Sequence, residues 1–343
     1  RRNPPNPPAI APYGRRANLG PVPVFLAHPP LFSSPVPSLL DKRLLFITGK
    51  GGVGKSTVAV ALGLVAARRG LRTIVAELAS QERVQGLFIE AGREQFRELE
   101  LAAGLFTISI DPQQAMEEYL RLKAGAIGQA LGSSRLFHAF AMATPGMREL
   151  LSIGKVWELA QLHRRTRGAA PYDLVIVDAP ATGHGVGLLR TPRTFAEIAR
   201  VGPIAHQGQI IAETIADPEF TGVIAVATPE EMPVNETMTL ADELARDALP
   251  LDLVIVNALY PARFEGEEVG ELNDALVKTR SALARSALRA ALSEHARAGT
   301  QREQRDRLRD RVDGRLVELP YVFAEQVGLP QLEFLADALE PSL

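Results

Sequence analysis

The run Gly49-Lys50-Gly51-Gly52-Val53-Gly54-Lys55-Ser56 leaves this chain few folds to choose from. It follows the apolar stretch Leu44–Thr48 and opens the Ala-rich apolar segment Val58–Ala67, so it joins a strand to a helix. Its spacing is G-x-x-x-x-G-K-S/T, a phosphate-binding loop in which glycines let successive backbone N–H groups turn inward where a side chain would collide. The helix that starts there adds its positive end. Lys55 can reach the β/γ-phosphate oxygens of a nucleotide as a point charge, and the Ser56 hydroxyl is placed to ligate Mg²⁺. Val53 and Thr57 complete the expected lining of the loop. A plain Gly-rich turn between strand and helix would not need all four fixed positions.

Lys50, directly after the first glycine, is a second lysine that an ordinary phosphate loop does not need. With it the chain resembles the deviant-Walker ATPases, the group of the partition, septum-site, nitrogenase-iron and arsenite-pump proteins. There this lysine serves the partner subunit's nucleotide. The plain alternative is a solvated loop lysine.

The 343 residues, 46% hydrophobic and 23% charged, suffice to bury one large core or two smaller ones. A net charge of −2 gives no global attraction to nucleic acid or to an anionic membrane surface. No apolar run is long enough for a membrane span and the start lacks a signal-peptide pattern, so the expected place is the cytoplasm. The chain has no cysteine, which excludes disulfides and thiolate metal sites.

Residues 1–40 hold eleven of the 25 prolines and show no periodicity, which predicts a disordered tail. Beyond it, near-continuous apolar runs predict strands at Leu44–Thr48, Thr73–Glu77, Phe106–Ile110, Leu174–Asp178, Val223–Thr228, Leu253–Asn257 and Leu316–Pro320. Such runs suit strands covered on both faces. Helix-like segments lie between them, so the fold class is α/β, a mostly parallel sheet with helices on each side. Two connections are too long for simple crossovers and predict helical insertions at about 112–170 and 185–218, clearest at Met116–Ala130, Met147–Leu162 and Thr194–Ile215. The stripe Leu150, Ile153, Trp157, Ala160 fits either the domain's own core or a ligand groove. Arg302–Arg315 reads as a solvated helix with Leu308 and Val312 on a buried edge.

Tyr172–Asp178 is an apolar strand ending in a carboxylate, so Asp178 is the candidate to hold a Mg²⁺-bound water. The small-residue loop Ala179–Gly185 after it could change shape with the γ-phosphate, and His184 within it reads as a hydrogen-bonding residue rather than a catalyst. From Asp173 through Asp178, Thr182-Gly183-His184 and Leu188–Pro192, the sequence is similar to the switch II segment of the arsenite-pump ATPase family, which includes the ATPase that targets tail-anchored proteins. Thr144–Glu149 resembles that family's entry to its helical subdomain. Val254–Asn257 resembles the strand whose final Asn reads adenine, and Leu319-Pro320-Tyr321-Val322-Phe323 resembles the loop closing over the base. The nearest likeness is to actinobacterial anion-transporting-ATPase-like proteins. The resemblance covers the chain from about Asp41 onward in one order. It implies a P-loop NTPase fold, ATP and Mg²⁺ as cofactors, a homodimer or a heterodimer with a related ATPase, a possible protein client, and Asn257, Pro320 and Tyr321 as base contacts.

Three departures bear on what the resemblance carries. Without cysteine, neither the family's metalloid site nor the Cys-x-x-Cys zinc clasp can exist. Aligned without gaps from Gly70, Ala79 stands where the switch I Asp should orient the attacking water. Glu77, two residues earlier on the same strand face, could substitute, with Glu82 a weaker choice. The expected activity is ATP hydrolysis with Lys50, Lys55, Asp178 and Glu77 as the catalytic set. A catalytically silent subunit and a client-carrying chaperone stand as alternatives. The acidic Leu332–Ala338 segment lacks the basic amphipathic helix of a surface-partitioning ATPase, which argues against membrane insertion.

Overall fold

The computed structural model describes residues 39–78, 83–88, 95–132, 143–166, 168–180, 185–199, 203–249, 251–312 and 315–343, with backbone only at 123–132, 185–186, 198–199 and 203–205. Its strands are β1 (Leu44–Thr48), β2 (Thr73–Glu77), β3 (Leu99–Ala102), β4 (Leu105–Ser109), β5 (Leu174–Asp178), β6 (Thr221–Ala227), β7 (Leu253–Leu259) and β8 (Arg315–Pro320). Its helices are α1 (Lys55–Arg68), α2 (Arg83–Gly86), α3 (Pro112–Gly132), α4 (Met147–Leu159), α5 (Gly185–Ala199), α6 (Pro203–Ala216), α7 (Glu231–Arg246), α8 (Gly266–Lys278), α9 (Ala282–Arg311) and α10 (Leu329–Leu339). They flank one eight-stranded sheet of order β3-β4-β2-β5-β1-β6-β7-β8, parallel throughout except at the β3/β4 hairpin.

The period-two alternation of strand side chains divides the core. Leu45 and Ile47 of β1 face α1 and α10, whereas Leu44 and Phe46 face the layer of α4, α5 and α6. Helix α1 is buried almost all round, which explains its lack of a polar face. Ala225, Ala227, Val254 and Val256 form a third cluster with Val234 of α7 and Leu308 of α9. No helix among the described residues is long and apolar enough to cross a membrane.

The structure corrects the sequence reading in several places. The edge strand β3 was not expected, because Leu-Glu-Leu-Ala is short and mostly half-buried and so carries no continuous apolar run. The single helix expected over Thr194–Ile215 is two, α5 and α6, and Pro203 stands at the start of the second, where a missing N–H costs nothing. Leu39 and Leu40, assigned to the tail by composition, are 4% and 6% exposed in the α1 cluster; residues 1–38 lie outside the described residues. The helix expected over Arg302–Arg315 has its buried edge at Leu308 and Val312 as expected, but it is the end of the 30-residue α9 and stops at Arg311, Arg315 opening β8.

Candidate active site

The chain leaves β1 for β2 on one side and later passes from β5 to β6 on the other, so the carboxyl end of β1 is the switch point where such sheets open a crevice. The loop Gly49–Gly54 fills that position. Gly49 has φ +142°, and a Cβ there would lie 2.2 Å from the Val226 carbonyl oxygen of β6. Gly54 has φ +90°, and its Cβ would meet the Asn257 amide nitrogen at 2.3 Å. Only glycine fits either place, because both the left-handed backbone and the close neighbour exclude a side chain. Gly51 and Gly52 are exposed on the outer turn, and Val53 is buried in the α1 cluster, pinning the loop from below.

Lys55, in the first turn of α1, is 5% exposed and its Nζ donates to the carbonyls of Gly49 and Lys50, both at 2.8 Å. The ammonium is thus drawn across the concavity that the loop encloses. Ser56 Oγ donates to Asp178 Oδ2 at 2.5 Å, joining the start of α1 to the end of β5. Thr57 follows Ser56 in the first turn, half-buried. A glycine cradle, a buried lysine and a serine–carboxylate pair fit a nucleotide phosphate with Mg²⁺.

Three expected residues have partners that the sequence did not indicate. Lys50 Nζ lies 3.3 Å from Glu236 Oε2 of α7, each side chain about a third exposed (33% and 38%). Glu77 sits beside Asp178 in the β2/β5 register and is 3% exposed, its Oε1 accepting from the Val84 backbone N–H at 3.1 Å. In this conformation the carboxylate anchors the start of α2. Asn257 is not at a strand end, since β7 runs on to Leu259; its Nδ2 donates to the Val53 carbonyl at 2.9 Å. Ala79, Glu82 and Ala181–His184 lie outside the described residues.

Pro320 ends β8, and the Tyr321 N–H donates to Leu259 O at 2.9 Å, which brings the Tyr321 ring onto Tyr260 at 4.6 Å in a stack. Phe323 packs edge-on against both rings. The sequence reading passed over Tyr260. Its place three residues after Asn257 was visible, but only the β7/β8 register pairs it with Tyr321.

A second polar cluster lies beneath α4. Lys155 Nζ pairs with Glu118 and Glu158 at 2.7 and 3.1 Å, and Arg164, whose side chain is fully buried, pairs with Glu98 and Glu158 at 2.7 and 3.1 Å. Burial alone would raise the Glu158 pKa. The Arg164 hydrogen bonds and the Lys155 charge outweigh burial and hold it at about 2. Tyr172 Oη donates to Glu98 at 2.7 Å, and burial together with that carboxylate raises the phenol above its ordinary value. The network ties the helical layer to the edge of the sheet.

Fold and loop together define a P-loop nucleotide-binding protein with a second loop lysine. The chain matches the model of the family described as anion-transporting ATPase over residues 42–207 and 198–340, and it belongs to that family. It is similar to the ATPase BagA of Mycobacterium tuberculosis, 31% identical over 237 residues that cover 67% of this chain and 68% of that protein. It is also similar to the ATPase GET3 of Candida glabrata, 26% identical over 66% of this chain and 74% of that protein. A third relative is the arsenical pump-driving ATPase of Escherichia coli, 26% identical over 64% of this chain but only 40% of that longer protein.

Proposed function

We propose that this chain binds ATP with Mg²⁺ and hydrolyses it slowly, working as a dimer with a second copy or a related chain. The nucleotide state would reshape the helices inserted at about 112–170 and 185–218, on which a protein client would dock. The observation that carries this reading is the convergence of Lys55, Ser56 and Asp178 at the end of β1. Bound Mg²⁺ supplies charge neutralisation on the transferred phosphoryl group. Lys55 would give up the Gly49 and Lys50 carbonyls to hold phosphate oxygens, and Ser56 and Asp178, now paired with each other, would be the residues that hold Mg²⁺.

Lys50 reaches the partner's nucleotide after leaving Glu236. That step is easy, because an exposed ion pair contributes at most about 1 kcal/mol. Glu77 takes the place of the missing switch I carboxylate and orients the attacking water, which requires it to release the Val84 N–H. Asn257, its amide nitrogen donating to Val53, offers its carbonyl oxygen to the 6-amino group of adenine, where guanine would present a second carbonyl oxygen. Pro320 and Tyr321 close over the base.

The test is thermal stabilisation by Mg-ATP. At a ligand concentration of about 100 Kd the wild-type chain gains about 2.7 kcal/mol and its melting temperature rises. Lys55→Ala loses most of this gain; an equal rise in the variant overturns the site.

A further inference from the structure

A cavity of about 160 Å³ opens among α3, α4 and α6. Its walls are apolar, formed by side chains such as Met116, Leu150, Trp157 and Ile211, and Gly154 faces it from α4. Two polar groups at its edge have no anionic partner. The Arg165 guanidinium lies 4.8 Å over the Trp157 ring, and both its terminal nitrogens donate to Gln207 Oε1 at 3.2 Å. No carboxylate among the described residues lies within ion-pair distance of it. The two acids that also line the cavity, Glu118 and Glu158, are held by Lys155, and Glu158 by Arg164 as well. Thr166 Oγ1 donates to both at 3.2 Å.

Gln207 carries the second observation. Arg165 can only donate, so it fixes Gln207 Oε1 toward itself and turns Nε2 away. That Nε2 is buried with no hydrogen-bond partner. A buried donor left unmade costs about 1–3 kcal/mol, which a bound acceptor would recover. Beside it stands a cation stacked on an aromatic ring, and behind both an apolar space.

We propose that this cavity binds a small aliphatic or aryl carboxylic acid. Its carboxylate pairs with Arg165 and, once the Gln207 side chain turns toward it, accepts from Nε2, which no water-sized space adjoins in this conformation; its tail lies against Trp157. An apolar cavity of about 150 Å³ takes a benzene-sized ligand, so the tail has about six to eight carbons. The fork of Arg165 suits a planar carboxylate, and removal from bulk water strengthens the pairing. The site is separate from the phosphate loop and stands or falls independently of ATP binding.

Trp157 is the only tryptophan of the chain, so its fluorescence in the nucleotide-free full-length protein reports on this cavity. Titration with octanoate is expected to give a saturable change, with octanol and octylamine each bound at least about tenfold more weakly, the equivalent of about one charge-assisted hydrogen bond. Gln207→Glu, which supplies Arg165 with a carboxylate and removes the free donor, is expected to abolish the preference for the acid. Gly154→Leu, whose side chain enters space with nothing within 4 Å of the added Cβ, is expected to abolish binding of all three probes. Melting curves establish that each variant is folded, and Arg165→Gln serves where Gln207→Glu is not. Octanol bound as tightly as octanoate, no saturable change, or full octanoate affinity in Gln207→Glu each overturns the proposal.

Discussion

Substituting Ala at two glycines of the phosphate loop should separate backbone strain from collision. At Gly52, with φ +84°, an added Cβ meets nothing within 4 Å, so Gly52→Ala costs only the left-handed conformation, about 1–2 kcal/mol. Gly54, with φ +90°, pays a similar strain and also drives its Cβ into the Asn257 amide at 2.3 Å. Moving that amide breaks its bond to the buried Val53 carbonyl, which adds about 1–3 kcal/mol. Gly54→Ala should therefore destabilise by about 2–5 kcal/mol. Asn257→Ala removes the obstacle and, alone, leaves the Val53 carbonyl unmade, at about 1–3 kcal/mol. In that background Gly54→Ala should fall to the Gly52→Ala value, so the two substitutions couple by about 1–3 kcal/mol. Urea unfolding of the nucleotide-free protein measures all four variants. Gly54→Ala costing no more than Gly52→Ala, or the same with Asn257 absent, would refute the loop–Asn257 contact.

Glu158 predicts an acid limb of stability. Its carboxyl titrates at about 2 in the fold against 4.5 ordinarily, so its contribution is full above pH 4.5 and lost as the pH falls toward 2. Glu158→Gln should be less stable at neutral pH and flatter over that window in pH-dependent melting; an unchanged slope contradicts the network. In competition with a labelled ATP analogue, GTP should bind about tenfold more weakly than ATP, the worth of one hydrogen bond to Asn257 Oδ1. Equal displacement removes Asn257 from base selection.

The phosphate loop and most strands were legible because they are local: fixed glycine spacing, continuous apolar runs, and a carboxylate at the end of β5. What the sequence hid is set by register and packing between distant segments. Asn257 looked like a base reader at a strand end, yet β7 continues and the amide nitrogen holds Val53, a contact that no spacing along the chain announces. Lys50 looked solvated or trans-acting, and its partner Glu236 comes from a helix far along the chain. The α4 stripe correctly signalled burial, but Lys155 and Glu158 on the same helix gave no sign that they neutralise one another under it. The break between α5 and α6 was written in Gly202-Pro203 and was overridden by the apolar periodicity around it.

Single-turnover hydrolysis of Mg-ATP by the purified full-length chain, wild type against Glu77→Gln, tests the central claim most directly. Gln keeps an oxygen to accept the Val84 N–H, so the fold is preserved while the charge is removed. The account predicts slow but measurable turnover in the wild type and a fall of about 10²–10⁴-fold in the variant. A rate indifferent to Glu77→Gln withdraws that residue from the chemistry, and bound ATP that is never hydrolysed by the wild-type chain contradicts the account.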